Sequence, residues 1–95
     1  MPIGFLILYI HIPGCASLKE KRSSIKPIIA RLHREFNISI AEYGRQDAWQ
    51  EAELACVSVA NENVINQQVM QQVTRFFEAH WPDIELIKTH LEMIP

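Results

Sequence analysis

The stretch IGFLILYIHIPGCASLKEKR, residues 3–22, sets the course of the chain. Its first ten residues are dense in Ile, Leu, Phe and Tyr and stop at the turn pair Pro13-Gly14, so they read as a strand with both faces largely apolar. Ser17-Leu18-Lys19-Glu20 then fits a capping box, in which the Ser hydroxyl accepts from an early helix N–H and the Glu carboxylate reaches back. Leu18, Ile25, Ile28, Ile29, Leu32 and Phe36 continue at helical spacing and form the stripe expected to face a core. Pro27 interrupts this pattern; an interior proline removes one backbone bond and crowds the preceding turn, so a kink is expected near Ser23 to Lys26.

Two further strands are read at Asn37 to Glu42 and Glu53 to Ala60, the first from the alternation of Ile38 and Ile40, the second from Leu54, Val57 and Val59. The intervening Tyr43 to Ala52 is too long for a two-residue hairpin and is expected to project as an ordered loop. Asn61 reads as the N-cap of a second helix with apolar positions Ile65, Val69, Val73, Phe76, Phe77 and His80. Ile84 to Met93 supplies a last strand. The order βαββαβ, with right-handed crossovers, folds most economically into an α+β ferredoxin-like plait, a four-stranded antiparallel sheet with two helices on one face.

Such a sheet leaves one face bare. With Leu6, Leu8, Ile10 and Ile12 toward the helices, alternation puts Phe5, Ile7, Tyr9 and His11 outside, and Tyr43, Leu54, Cys56, Leu86 and His90 are expected beside them. An apolar surface of that extent predicts a homodimer or another protein partner on the open face.

A chain of 95 residues has room for a single domain, and 48% hydrophobic with 21% charged residues is a globular composition rather than a disordered one. The apolar run from Ile3 to Ile12 is about half the ~20 residues a spanning helix needs and carries neither a basic start nor a small-residue cleavage site. A cytoplasmic protein with reduced Cys15 and Cys56 and no membrane partner is the expectation.

Charge is segregated. Ser17 to Arg34 holds Lys19, Lys21, Arg22, Lys26, Arg31 and Arg34 against Glu20 alone, +5 within a chain of −2, which leaves −7 elsewhere. A basic helix face can steer a polyanion or be simply solvated. The helix start adds backbone N–H groups and Ser17, so a phosphate could be held there, unless Ser17 and Glu20 already use those donors.

Enzymatic and metal chemistries are poorly encoded. Cys15 sits where a helix N-terminus would lower a thiol pKa, but a phosphatase-like loop needs an Arg after five intervening residues, and that position is Lys21. No paired Cys-x-x-Cys or His-x-x-x-His cluster stands near His11 and Cys15, so neither a metal nor another cofactor is expected. RNA readers of this fold stack bases on central-strand aromatics, and Glu53 to Ala60 has no aromatic and no basic residue. Contacts with RNA would therefore fall to the basic helix, with His11, Asp47, Trp49 and Gln50 forming a secondary contact or a subunit interface.

His11-Ile12-Pro13-Gly14, Ser17-Leu18-Lys19-Glu20-Lys21-Arg22, Phe36-Asn37-Ile38-Ser39-Ile40-Ala41-Glu42 and Gln46-Asp47-Ala48-Trp49-Gln50-Glu51-Ala52 together resemble the small bacterial YlxP-like family, a domain of unknown function. The resemblance covers nearly the whole chain and implies a cytoplasmic ferredoxin-like domain without an established activity, associated with RNA or ribosomes. Pro27 departs from the family pattern, in which that helix is uninterrupted. The combined expectation is a non-enzymatic accessory protein that docks on RNA or a ribosomal subunit, with a homodimeric protein-interaction module as the alternative.

Overall fold

Alternation along the first strand orients everything else. A computed structural model describes residues 1–95 as β1 (Ile3–His11), α1 (Leu18–Glu35), β2 (Ser39–Gly44), β3 (Glu51–Val59), α2 (Asn63–His80) and β4 (Glu85–Ile94). The strands form one antiparallel sheet in the order β2-β3-β1-β4, the ferredoxin-like plait read from the element order. Leu6, Leu8 and Ile10 turn to the helices and are essentially inaccessible.

Directly paired residues of an antiparallel ladder share a face, and this corrects three of the side chains expected outside. Cys56 lies opposite Leu6, Leu54 opposite Leu8 and Leu86 opposite Ile10, so all three belong to the helix-covered side. Leu54 and Cys56 are fully buried, and Leu86 packs against the core. The open face carries Phe5, Ile7, Tyr9 and His11, paired across β3 with Val57, Ala55, Glu53 and Glu51. His90 does lie there, opposite Ile7, and Tyr43 is exposed at the irregularity between Glu42 and Gly44. The bare surface is therefore smaller than expected: it is apolar at the Ile3, Val59 and Ile94 end and charged at the Glu51, Glu85 and Lys88 end.

The helices fill the other side. In α1 the apolar register runs through Pro27, with Ile25 before it and Ile28 and Leu32 after it all buried, while the proline itself is exposed. In α2 the expected stripe is out of phase at its start: Asn66, Met70, Val73 and Phe77 are the buried positions, and Ile65 is exposed. The polar Asn66 is tolerated because its Oδ1 accepts from Ser58 Oγ at 2.9 Å. The helix is capped by Glu62 rather than Asn61, without a side-chain bond. Where the helix ends meet, Phe76 packs edge-on against Phe36 at 5.5 Å and stacks on His80 at 3.8 Å.

Candidate functional site

The β1–α1 join and the β2–β3 loop, far apart in sequence, form one end of the molecule. Ser17 caps α1 by accepting from the Glu20 N–H at 3.1 Å, and the Glu20 carboxylate takes the Ala16 N–H at 2.7 Å. The capping box of the sequence is thus present, with its return bond one residue earlier than the cap. Ser17 Oγ and these two donors are committed, and Glu20 adds negative charge where an incoming anion would sit.

Lys21, expected among the phosphate-contacting cations, is instead 1% exposed. Its ammonium donates to the Arg45 carbonyl at 2.6 Å and the Ala48 carbonyl at 2.7 Å, and lies 2.9 Å from Glu42 Oε2. Two hydrogen bonds and an ion pair thus engage the buried ammonium, which does not face an incoming phosphate. Helical phase accounts for the placement: Lys21 follows Leu18 by three residues and precedes Ile25 by four, so it lies on the buried stripe. That spacing was legible in the sequence.

The loop is built around this ammonium. Arg45 adopts a left-handed backbone with φ 60°, and its carbonyl also accepts from the Ala48 N–H at 3.0 Å. Gln50 ties the loop to the join, its carbonyl accepting from the Ile12 N–H at 2.8 Å and its side chain donating to the Cys15 carbonyl at 3.3 Å. Arg45 lies outside the four motifs, and Glu42, which closes one of them, carries no signal there of its pairing with Lys21. Trp49, with Asp47 beside it, is held outward on this anchored loop, 54% exposed.

The remaining cations divide. Lys19, Arg22, Lys26 and Arg34 are exposed and have no ion partner. At 3.6 residues per turn they fall within an arc of about 120° and span about 22 Å of helix. Arg31 lies on another flank, 3.0 Å from Glu35 Oε1 and 5.3 Å above the Phe76 ring. Arg22 also borders a cleft of about 320 Å³ shared with Gln46 and Asp47. His11 is half-buried, between Glu51 and Glu85 in the sheet register.

Neither thiol is placed for nucleophilic work. Cys15 is buried and its Sγ donates to the Ser17 carbonyl at 3.4 Å. Burial pushes the Cys56 thiol up to about 12. No three His, Cys, Asp or Glu side chains converge, and no helix is long and apolar enough to cross a membrane.

Residues 3–91 match the family described as "Protein of unknown function (DUF503)". The chain belongs to this family. Among DUF503-like proteins, it is 37% identical over 90 residues to "Uncharacterized protein YlxP" of Bacillus subtilis (strain 168), covering 95% of this chain and 97% of the relative. The YlxP-like resemblance read from the four motifs is therefore correct. Three of the four DUF503-type motifs meet at the anchored end: His11 to Gly14 closes β1, Ser17 to Arg22 opens α1 with its buried lysine, and Gln46 to Ala52 carries the loop into β3; the remaining one, Phe36 to Glu42, runs from the far end of α1 along β2 and reaches this end with Glu42, the ion partner.

Proposed function

We propose that this DUF503 protein is a non-enzymatic cytoplasmic docking module for RNA, free or within a ribosomal subunit, and that it binds through the outer face of α1. The observation that carries this reading is the row of four unpaired cations, Lys19, Arg22, Lys26 and Arg34, on a chain whose remaining charge is negative. Phosphates are recognised there by charge and spacing rather than by base edges. Trp49 supplies an exposed stacking ring on the loop that borders Arg22 through Gln46 and Asp47, and Gln50 ties that loop to the start of α1 through the Cys15 carbonyl. Asp47 beside them limits the polyanion's approach to the α1 side.

The test is binding of a labelled single-stranded RNA across a salt series. Four phosphate contacts predict a slope of log affinity against log salt of about −2.8. Arg22→Glu combined with Lys26→Glu halves that slope or abolishes binding. Salt-independent binding, or binding unaffected by the pair, refutes the reading. Lys21 is left intact, since its substitution disturbs the fold.

The second reading, self-association as a protein-interaction module, draws on a different observation. The apolar end of the open face exposes Val59 by 56% and Ile94 by 39%, next to a β4 whose outer edge has no strand partner.

A further inference from the structure

We infer that two copies of this chain join edge to edge through β4, in an antiparallel register centred on His90; this rests on the self-association reading and assigns its seam. β4 is the longest strand and an outer strand of the sheet, with no strand beyond it. Edge strands are commonly protected by charged side chains, above all lysine, by proline or by bulges. This edge has a bulge at Ile87 and a lysine, but the lysine is balanced: Lys88, over the Tyr9 ring at 4.6 Å, and Glu92, 3.3 Å from His90, place opposite charges two residues to either side of His90.

Antiparallel pairing of a strand with itself matches residues whose numbers have a constant sum. Centred on His90, it sets Lys88 against Glu92 of the second copy twice over, and Thr89 against Leu91 twice over. Centred on Thr89, it opposes Lys88 to His90; centred on Leu91, it opposes Lys88 to Ile94. Only the His90 register pairs both charges, and opposite charges directly across a ladder favour pairing where like charges oppose it.

The helix layer agrees. α2 packs over β1 and β4, and a cleft of about 340 Å³ opens between α2 and Thr89 and Leu91 at this edge. Arg75 and Glu78 border that cleft, exposed and without ion partners. With strands about 4.8 Å apart, helices seated over the two β1–β4 boundaries lie about 10 Å apart, a normal packing distance. A two-fold axis through His90 makes the two α2 helices antiparallel and brings Arg75 of each toward Glu78 of the other. The sheet then runs continuously through eight strands, and both α1 faces remain uncovered.

Sedimentation equilibrium of the full chain over a range of concentrations tests this. A dimer is expected, weakened at least tenfold by Lys88→Glu and restored by Lys88→Glu with Glu92→Lys, with circular dichroism unchanged throughout. His90→Cys faces itself across the axis and is expected to form an intermolecular disulfide with oxidant, whereas Thr89→Cys is not. Cys15 and Cys56 are buried and do not compete. A monomer at every concentration overturns both the seam and the self-association reading. A dimer insensitive to Lys88→Glu, not cross-linked at position 90 and broken by Val59→Lys, overturns the seam alone and leaves the open face as the contact.

Discussion

Lys21 of α1 and Glu42 of β2 form an ion pair, Nζ to Oε2 2.9 Å, at the base of the loop that carries Trp49. The lysine side chain is 2% exposed and the glutamate 22%. The pair replaces an apolar contact on the buried stripe by a fixed charge, and that charge determines the path of the loop through the carbonyls of Arg45 and Ala48. A hydrophobic residue at position 21 would fill the same space but leave Glu42 without its counter-ion and the Ala48 carbonyl without its donor, while the Arg45 carbonyl would keep only the Ala48 N–H.

Lys21→Met is therefore expected to destabilise the protein by about 3 kcal/mol, the lower end for breaking a buried pair, because Glu42 retains some access to water. Urea unfolding measures it. Lys21→Arg is not expected to rescue, since a planar guanidinium cannot place its donors on three oxygens set around an ammonium. Amide exchange in Arg45 to Gln50 should accelerate in Lys21→Met well before the sheet is affected.

Gly4→Ala tests the contact between β1 and α2. A Cβ at position 4 would stand 2.8 Å from Asn66 Cβ and 2.9 Å from Ser58 Oγ. Neither neighbour can yield without loosening the buried Ser58–Asn66 bond. A loss of about 1–3 kcal/mol is expected, the usual range for overpacking. Gly4→Ala combined with Asn66→Gly should cost less than the two single losses added, because the second change removes the clash.

The architecture was legible because it rests on period and order. The alternation of β1, the Ser17 to Glu20 box and the βαββαβ order each have a local signature, and each is present in the fold. What failed was phase. Leu54 and Cys56 belong to the helix-covered face rather than the open one; an apolar strand has two faces that read alike, and only the pairing to Leu8 and Leu6 separates them. Asn66 was passed over in α2 because its burial depends on Ser58, eight residues away on β3. The charge of Lys21 points to the surface, whereas its spacing places it on the stripe with Ile25 and Ile28. The candidate cations at Lys19, Arg22, Lys26 and Arg34 were legible as exposed charge; the anchoring of the Trp49 loop was not, since backbone carbonyls carry no signature in sequence.

Cys56 predicts an alkaline limit to stability. Its thiol rises from 9.0 in a model compound to about 12 in the fold, because burial penalises the thiolate. The folded state thus holds a proton that the unfolded chain releases, so the stabilisation is complete below pH 9.0 and is lost as pH rises toward 12. The slope is at most about 1.4 kcal/mol per pH unit for one proton. Cys56→Ala should lower stability modestly at neutral pH and remove this part of the slope, as followed by urea unfolding at a series of alkaline pH values.

Arg31 and Lys26 separate packing from docking within a single helix. Arg31 pairs with Glu35 and covers the Phe76 ring, so its charge is already engaged. Lys26 has neither partner nor ring, and its charge faces solvent. Arg31→Ala is accordingly expected to cost about 0.5–1 kcal/mol of stability through the lost ring contact and ion pair, and to change RNA affinity less than twofold. Lys26→Ala should leave stability within about 0.5 kcal/mol, the range for an exposed side chain, while reducing the salt slope of RNA binding by about 0.7. Thermal unfolding and the RNA titration, run on both variants, measure the two quantities independently. The reverse pattern, with Arg31 governing affinity and Lys26 silent, would move the docking surface from the outer face of α1 to the flank it shares with α2.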